Sequence, residues 1–233
     1  MRTPADVFQE LSTALILDAS VKLHIPLRVA PTTLYSLLNG AKIAGPVLPA
    51  RHYGSADVFL EAIARSRKGD ILVIDNGGRM DEACIGDLVT LEAQKSGLSG
   101  IVVWGCHRDT QELKEIKLPV FSCGSNPSGP LELRKRPSNA LKSAKIGTFQ
   151  VTSNDLVFGD DDGVVFLPRE HLKRIIERAR EIGSIERRQA VEVRRGRMLR
   201  EQLRLKEYVS RRGRDSSYTF RKHLRELRGA VEE

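Results

Sequence analysis

The chain has 233 residues, 40% hydrophobic and 29% charged, enough apolar content for a packed core and too much for wholesale disorder. No apolar run approaches the roughly 20 residues of a membrane span, the N-terminal stretch lacks a signal-peptide layout, and three cysteines without CxxC spacing argue against a disulfide framework or a cysteine-built zinc site. The net charge of +8 invites an anionic partner, but residues 1–168 hold 18 Lys and Arg against 19 Asp and Glu, whereas residues 169–233 hold 20 against 11. The excess therefore belongs to the C-terminal quarter. A soluble, cytoplasmic protein without a membrane partner is expected.

Residues 5–24 read as one helix, with Val7, Leu11, Leu15 and Ala19 at helical spacing. After Pro26 and Pro31, residues 41–48 read as a strand interrupted at Gly45-Pro46. A short helix to Ala64 and a strand over 71–75 come next. A tight turn at Asn76-Gly77-Gly78 leads to a helix over 83–96, closed by Gly97. Strand 100–104, turn 106–109, helix 110–116 and strand 119–122 continue the alternation. Continuous apolar strands between short helices imply a mostly buried sheet with helices packed against it. Further strands are expected at 146–152, 156–158 and 163–167, with Asp160-Asp161-Asp162-Gly163 as a turn. Pro168 opens a helix that runs to Gly183 and resumes over 184–208. Few apolar anchors mark its second half, which reads as solvated or packed on another subunit. Residues 210–217 read as a loop and 218–227 as a short terminal helix.

Ligands of open α/β sheets collect at the carboxyl ends of strands. Two loops qualify, one reaching Ile85-Gly86-Asp87-Leu88 and one carrying Arg108-Asp109. A guanidinium can fork onto a carboxylate or keto acid, and a neighbouring aspartate can hold a hard divalent cation that stabilises a developing enolate. On spacing alone, an Arg–Asp pair opening a helix, with Asp109 as its N-cap, is the stronger reading. Gly86-Asp87-Leu88 is either an anion-binding helix N-terminus or a helix interior with a tolerated glycine. Asp75-Asn76-Gly77-Gly78 lacks the glycine spacing of a nucleotide loop. The five histidines show no metal-ligand spacing. His107 and Cys106 adjoin the candidate site as bystanders.

The motifs KGDILVID (68–75), GDL (86–88), SGIVVWGCHRD (99–109), LPVFSCGSNPSGP (118–130) and GDDDGVVFLP (159–168) resemble the RraA-like family. That family includes class II metal-dependent pyruvate aldolases acting on 4-hydroxy-4-methyl-2-oxoglutarate and 4-carboxy-4-hydroxy-2-oxoadipate, and the regulator of ribonuclease E activity. The resemblance implies an α/β fold of the swivelling three-layer β/β/α type over residues 1–183, with a basic helical extension over 184–233 used in subunit packing. It implies a homo-oligomer, trimer or hexamer, with the active site in the subunit cleft. Asp109 would bind the divalent metal, Mg2+ or Mn2+, and Arg108 would contact a small 2-keto acid. The backbone amides of Gly86, Asp87 and Leu88 would hold the pyruvoyl carboxylate. Asp87 and, from a neighbouring subunit, Glu186 (or nearby Glu181) would serve the catalytic water. The implied activity is release of pyruvate from a 4-hydroxy-2-oxo acid or decarboxylation of oxaloacetate, the alternative being a non-catalytic regulatory binding protein. Nucleic acid is not the expected partner, because residues 194–214 offer Tyr208 as their lone aromatic. His52, His107 and Arg79 are candidates for gripping the leaving half of the substrate.

Overall fold

The computed structural model describes residues 3–227, so the outermost residues of both expected domains, 1–2 and 228–233, lie outside it. The chain divides into two compact units, one built from Met1–Thr13 and Pro26–Leu172, the other from Ala14–Ile25 and Lys173–Glu233.

The elements of the first unit are, in order, α1 (Pro4–Phe8), β1 (Arg28–Val29), β2 (Tyr35–Ser36), β3 (Ile43–Arg51), α3 (Asp57–Ala64), β4 (Ile71–Ile85), α4 (Asp87–Lys95), β5 (Gly100–His107), α5 (Thr110–Ile116), β6 (Val120–Ser122), β7 (Ser143–Ile146), β8 (Phe149–Thr152), β9 (Asp155–Asp160) and β10 (Gly163–Pro168); α2 (Thr13–Lys22) begins at its edge. Eight strands form one mixed sheet in the order β1-β10-β9-β3-β4-β5-β6-β2, and β7 pairs with β8 as a separate hairpin. Strands β3 to β6 run parallel.

Successive side chains of a strand point to opposite faces, and here both faces are covered. Leu72, Ile74, Ile101 and Val103 pack with Val58, Phe59 and Ala62 of α3, Ala93 of α4 and Leu113 of α5. Ile71, Val73, Val102 and Phe121 pack with Ala144, Ile146 and Val151 of the hairpin and with Val157, Val164 and Phe166. The result is the expected hairpin, sheet and helix layering, with the uninterrupted apolar runs of a doubly covered sheet.

Several boundaries differ from the sequence expectation. The first helix breaks between Phe8 and Thr13, where Thr13 donates its N–H and hydroxyl to the Asp160 carboxylate at 2.8 and 2.6 Å. Strand β3 runs straight through Gly45-Pro46, which pair with Val157 and Leu156 of β9, and a side chain at Gly45 would strike the Gly69 carbonyl at 2.3 Å. Strand β4 does not end at Asp75: it continues through bulges to pair Ala83 with Cys106 and Ile85 with His107. Gly77 and Gly78, at φ of 68° and 69°, take the kink, and Asp75 and Asn76 are buried rather than part of a solvent turn. That extension shortens the following helix to α4 and leaves Gly86 outside it. The expected strand over 146–152 is the hairpin β7–β8, folded at Gly147.

In the second unit, α2 associates with α6 (Leu172–Arg194), α7 (Leu199–Gln202), α8 (Leu205–Arg214) and α9 (Phe220–Glu226). Pro168 ends β10, and a short 3-10 turn over Arg169–His171 precedes α6. Helix α6 is unbroken at Gly183, so position 183/184 lies inside it; Ile175, Ile176, Ala179 and Ile182 form its buried face. Residues 210–214 extend α8 instead of starting a loop. Gln202 ties α7 to α6 by donating to the Gln189 carbonyl at 3.1 Å, and Tyr208, Tyr218, Phe220 and His223 pack ring to ring.

Candidate active site

The parallel pairing of β4 with β5 brings the two expected loops together. Ile85 and His107 are register partners, and the Arg108 N–H donates to the Ile85 carbonyl at 3.0 Å. Gly86 then caps α4 in extended backbone, φ −143° and ψ −157°. Any residue adopts that conformation; glycine is required by crowding instead. A Cβ there would lie 2.1 Å from Asp109 Oδ2 and 3.3 Å from Arg108 Cγ. The helix-terminus reading of Gly86 is therefore the correct one. Thr90 secures the turn by donating its hydroxyl to the Gly86 carbonyl at 2.8 Å.

Asp109 is the N-cap residue of α5 by position, in the left-handed conformation with φ 57° and ψ 45°, but its side chain makes no capping bond to α5. Oxygen Oδ2 instead accepts the Asp87 N–H, at the start of α4, at 3.2 Å, with Arg108 Nε 3.5 Å away. The Asp87 carboxylate accepts the next amide, Leu88 N–H, at 2.7 Å. The first amides of α4 thus already hold carboxylate oxygens, the group that a helix N-terminus favours. The Arg108 side chain is half-exposed and lies along Gly129, where a Cβ would come within 2.7 Å of Nη1.

Gly86, Asp87, Leu88, Arg108 and Asp109 line one cavity of about 730 Å3, which is also lined by Leu60 of α3 and by Pro130. Among the described residues no group of three His, Cys, Asp or Glu side chains is placed to hold a metal ion. The donor set instead suits Mg2+, which is commonly held by one or two carboxylates and keeps several waters. Asp109 and Asp87 supply such carboxylates at the cavity wall, and the missing side chain of Gly86 is what lets the Asp109 carboxylate sit there. A divalent cation fits the residues present.

Glu186 lies on α6, in the second unit. Burial is the main cause that raises its carboxyl above the ordinary range, with the Asp18 carboxylate adding to it and Arg187 and Lys22 opposing. Glu181 is exposed and committed to an ion pair with Arg178 at 2.8 Å.

Of the residues suggested for gripping the leaving half, none lines the cavity. His52 is buried with Nδ1 3.3 Å from the Ser55 carbonyl, and Arg79 is ion-paired with Asp81 and Glu82 at 2.9 and 3.0 Å. Lys95 and Leu60 do line it, and neither stands out in the sequence, because a groove between two helices leaves no local motif. The Cys106 thiol is pushed up by burial, so it is no activated nucleophile. Asp160 and Asp161 are spent on Thr13 and Gly40 amides, as a structural turn.

Residues 13–166 match the RraA-like family, described as Aldolase/RraA. Over 151 residues the chain is 32% identical to protein DlpA of Legionella pneumophila, covering 61% of this chain but only 24% of that protein. It is 31% identical over 121 residues to a protein of Alkalilimnicola ehrlichii provisionally named 4-hydroxy-4-methyl-2-oxoglutarate aldolase, covering 52% of this chain and 74% of that one. An uncharacterized protein from Pseudomonas syringae pv. tomato shares the fold with a TM-score of 0.72 at 23% identity, over 86% of this chain and 98% of that one. The RNA-processing inhibitor RraA from Thermus thermophilis superposes with a TM-score of 0.57 at 25% identity, over 66% and 92%.

Proposed function

The chain belongs to the RraA-like family, and from that premise we propose that it is a divalent-metal-dependent carbon–carbon lyase that releases pyruvate from a 4-hydroxy-2-oxo acid, decarboxylates oxaloacetate, or both. The observation that supports this most is the Asp109 carboxylate, which sits over Gly86 at the α4 N-terminus beside Arg108 instead of capping its own helix.

The Arg108 guanidinium binds the 2-oxo acid, its planar fork matching carboxylate geometry. The amides of Asp87 and Leu88 favour the substrate carboxylate by the same dipole that now draws side-chain oxygens to them. Asp109 would hold a Mg2+ or Mn2+ ion, which when bound would supply Lewis-acid polarisation of the keto oxygen. In retro-aldol cleavage the C4 hydroxyl gives up its proton, the C3–C4 bond breaks, and its electron pair forms the pyruvate enolate, which is then protonated at C3. Asp87 lines the cavity and is the group to move the proton. Glu186 is assigned as the second acid, contributed by a neighbouring copy in a trimer or hexamer. Its raised carboxyl makes it a better proton donor near neutrality than an ordinary glutamate. Decarboxylation of oxaloacetate passes through the same enolate.

Purified protein mixed with oxaloacetate and Mg2+, with and without chelator, tests the proposal by pyruvate formation. Chelator-sensitive turnover that is lost in Asp109→Ala is expected. No turnover of any 2-oxo acid tested, or turnover indifferent to chelator and to Asp109→Ala, refutes it.

The likeness to the Thermus inhibitor supports a second reading, a regulatory protein that binds an RNA-processing enzyme. Capture of ribonuclease E that survives Arg108→Ala and Asp109→Ala, in a protein without lyase activity, favours that reading.

A further inference from the structure

We propose that His107 is a positioning residue: its imidazole bridges Ser122 and Thr110 and thereby clamps the Arg108-Asp109 pair so that the Asp109 carboxylate stays over Gly86. The inference rests on the reading of Asp109 as a cation ligand.

Asp109 occupies the left-handed region, which side chains other than glycine seldom adopt. Such a conformation persists when the surrounding structure over-determines it. On the N-terminal side the restraint is the backbone of His107: its N–H donates to the Gly124 carbonyl at 3.0 Å, and its carbonyl accepts the Asn126 N–H at 2.9 Å. On the C-terminal side is Thr110, the first residue of α5. The ring of His107 joins the two sides. Nε2 lies 3.1 Å from Thr110 Oγ1, and Nδ1 lies 2.8 Å from Ser122 Oγ on β6. The bridge from residue 107 to residue 110 therefore spans the two site residues between them.

The ring is buried. A neutral ring has one donor and one acceptor nitrogen, which satisfies two hydroxyls that can each play either part. The bridge also accounts for the uncapped α5: with Thr110 held by the ring, the Asp109 carboxylate is free to face α4. A histidine buried only for packing requires neither hydroxyl and leaves Asp109 unaffected.

The test measures Mn2+ affinity of the full chain by the electron paramagnetic resonance of free Mn2+, together with the melting temperature. Partners that orient a metal ligand typically contribute 10- to 100-fold to affinity. His107→Val and Thr110→Val are each expected to weaken Mn2+ binding by about tenfold or more. The double variant should be no weaker than the worse single one, because both changes break one bridge. Thr110→Ser keeps the hydroxyl and should retain the affinity. Variants that melt earlier yet bind Mn2+ within about twofold of the wild type, or losses that multiply in the double variant, overturn the clamp. Should His107→Val fail to fold, Thr110→Val against Thr110→Ser decides, since Thr110 is only half-buried. A wild-type protein that binds no Mn2+ refutes the cation reading of Asp109 and the clamp with it, whereas Mn2+ binding indifferent to these variants refutes the clamp alone.

Discussion

Gly86→Ala places one methyl group where the Asp109 carboxylate now lies. The extended backbone at Gly86 tolerates alanine, so the cost is the clash alone. The new Cβ would sit 2.1 Å from Oδ2, and ordinary contact begins near 3.4 Å, so the carboxylate must retreat by about 1.3 Å. Oδ2 is the end of a rotatable, half-buried side chain, so it can move. The move breaks its bond from the Asp87 N–H, which as a charge-assisted bond contributes about 1.5–3 kcal/mol at most. For a chain of this length each kcal/mol corresponds to about 2–4 °C of melting temperature. A misplacement of about 1 Å at a reacting centre costs on the order of 100-fold in rate. The expected outcome is a folded protein that melts about 3–12 °C lower and whose kcat/KM falls about 100-fold. Differential scanning fluorimetry and pyruvate release coupled to NADH oxidation measure the two. A Gly86→Ala protein that retains more than half of the wild-type rate shows that the closeness of Asp109 to Gly86 is irrelevant to turnover.

Two further changes probe the energetics of single carboxylates. Burial raises the Glu186 carboxyl above its ordinary value of 4.5, so the folded state holds that proton more tightly than the unfolded chain. Its contribution is therefore complete below the unfolded pKa and is lost as pH rises through the folded one. Glu186→Gln should raise the melting temperature at pH 8 and leave it nearly unchanged at pH 4; an equal shift at both would contradict the assignment. Glu82 is fully buried, and its charged partner is Arg79 Nη1 at 3.0 Å. Arg79→Met strands that carboxylate and should destabilise the fold by about 3–5 kcal/mol in urea unfolding. Adding Glu82→Gln should recover much of the loss, and a lack of recovery would mean that Arg79 acts through packing instead.

Much of the first unit was legible in the sequence because its signals are local. The runs Ile71–Ile74 and Ile101–Val103 read as doubly covered strands, and both are buried on two faces. Helix α5 and the turn at 160–163 follow from short-range patterns in the same way. Where the expectation went astray, a distant partner decided. Pro46 looks like a strand breaker, yet it stays in β3 as an antiparallel register partner of Leu156. Asn76-Gly77-Gly78 looks like the end of a strand, yet Cys106 and His107 on β5 recruit Ala83 and Ile85 back into the sheet. A break at Gly183 was expected, but Gly183 is buried within α6, packed against Leu15, and the helix runs on to Arg194.

The candidate site divides along the same line. By itself, the sequence determined which side chains stand at strand ends and that the surplus of positive charge is confined to the last quarter of the chain. It also determined, through motif order, the family to which residues 13–166 belong. Local spacing, apart from the family resemblance, left Asp109 as an ordinary helix cap and Gly86 as a glycine of uncertain purpose, because both roles depend on a contact 23 residues apart in the chain. Only the tertiary structure, by setting β4 beside β5 in register, put the Gly86 Cα close enough to Asp109 that a side chain there would collide. That close approach turns the cap residue's carboxylate outward, toward the α4 N-terminus and the cavity.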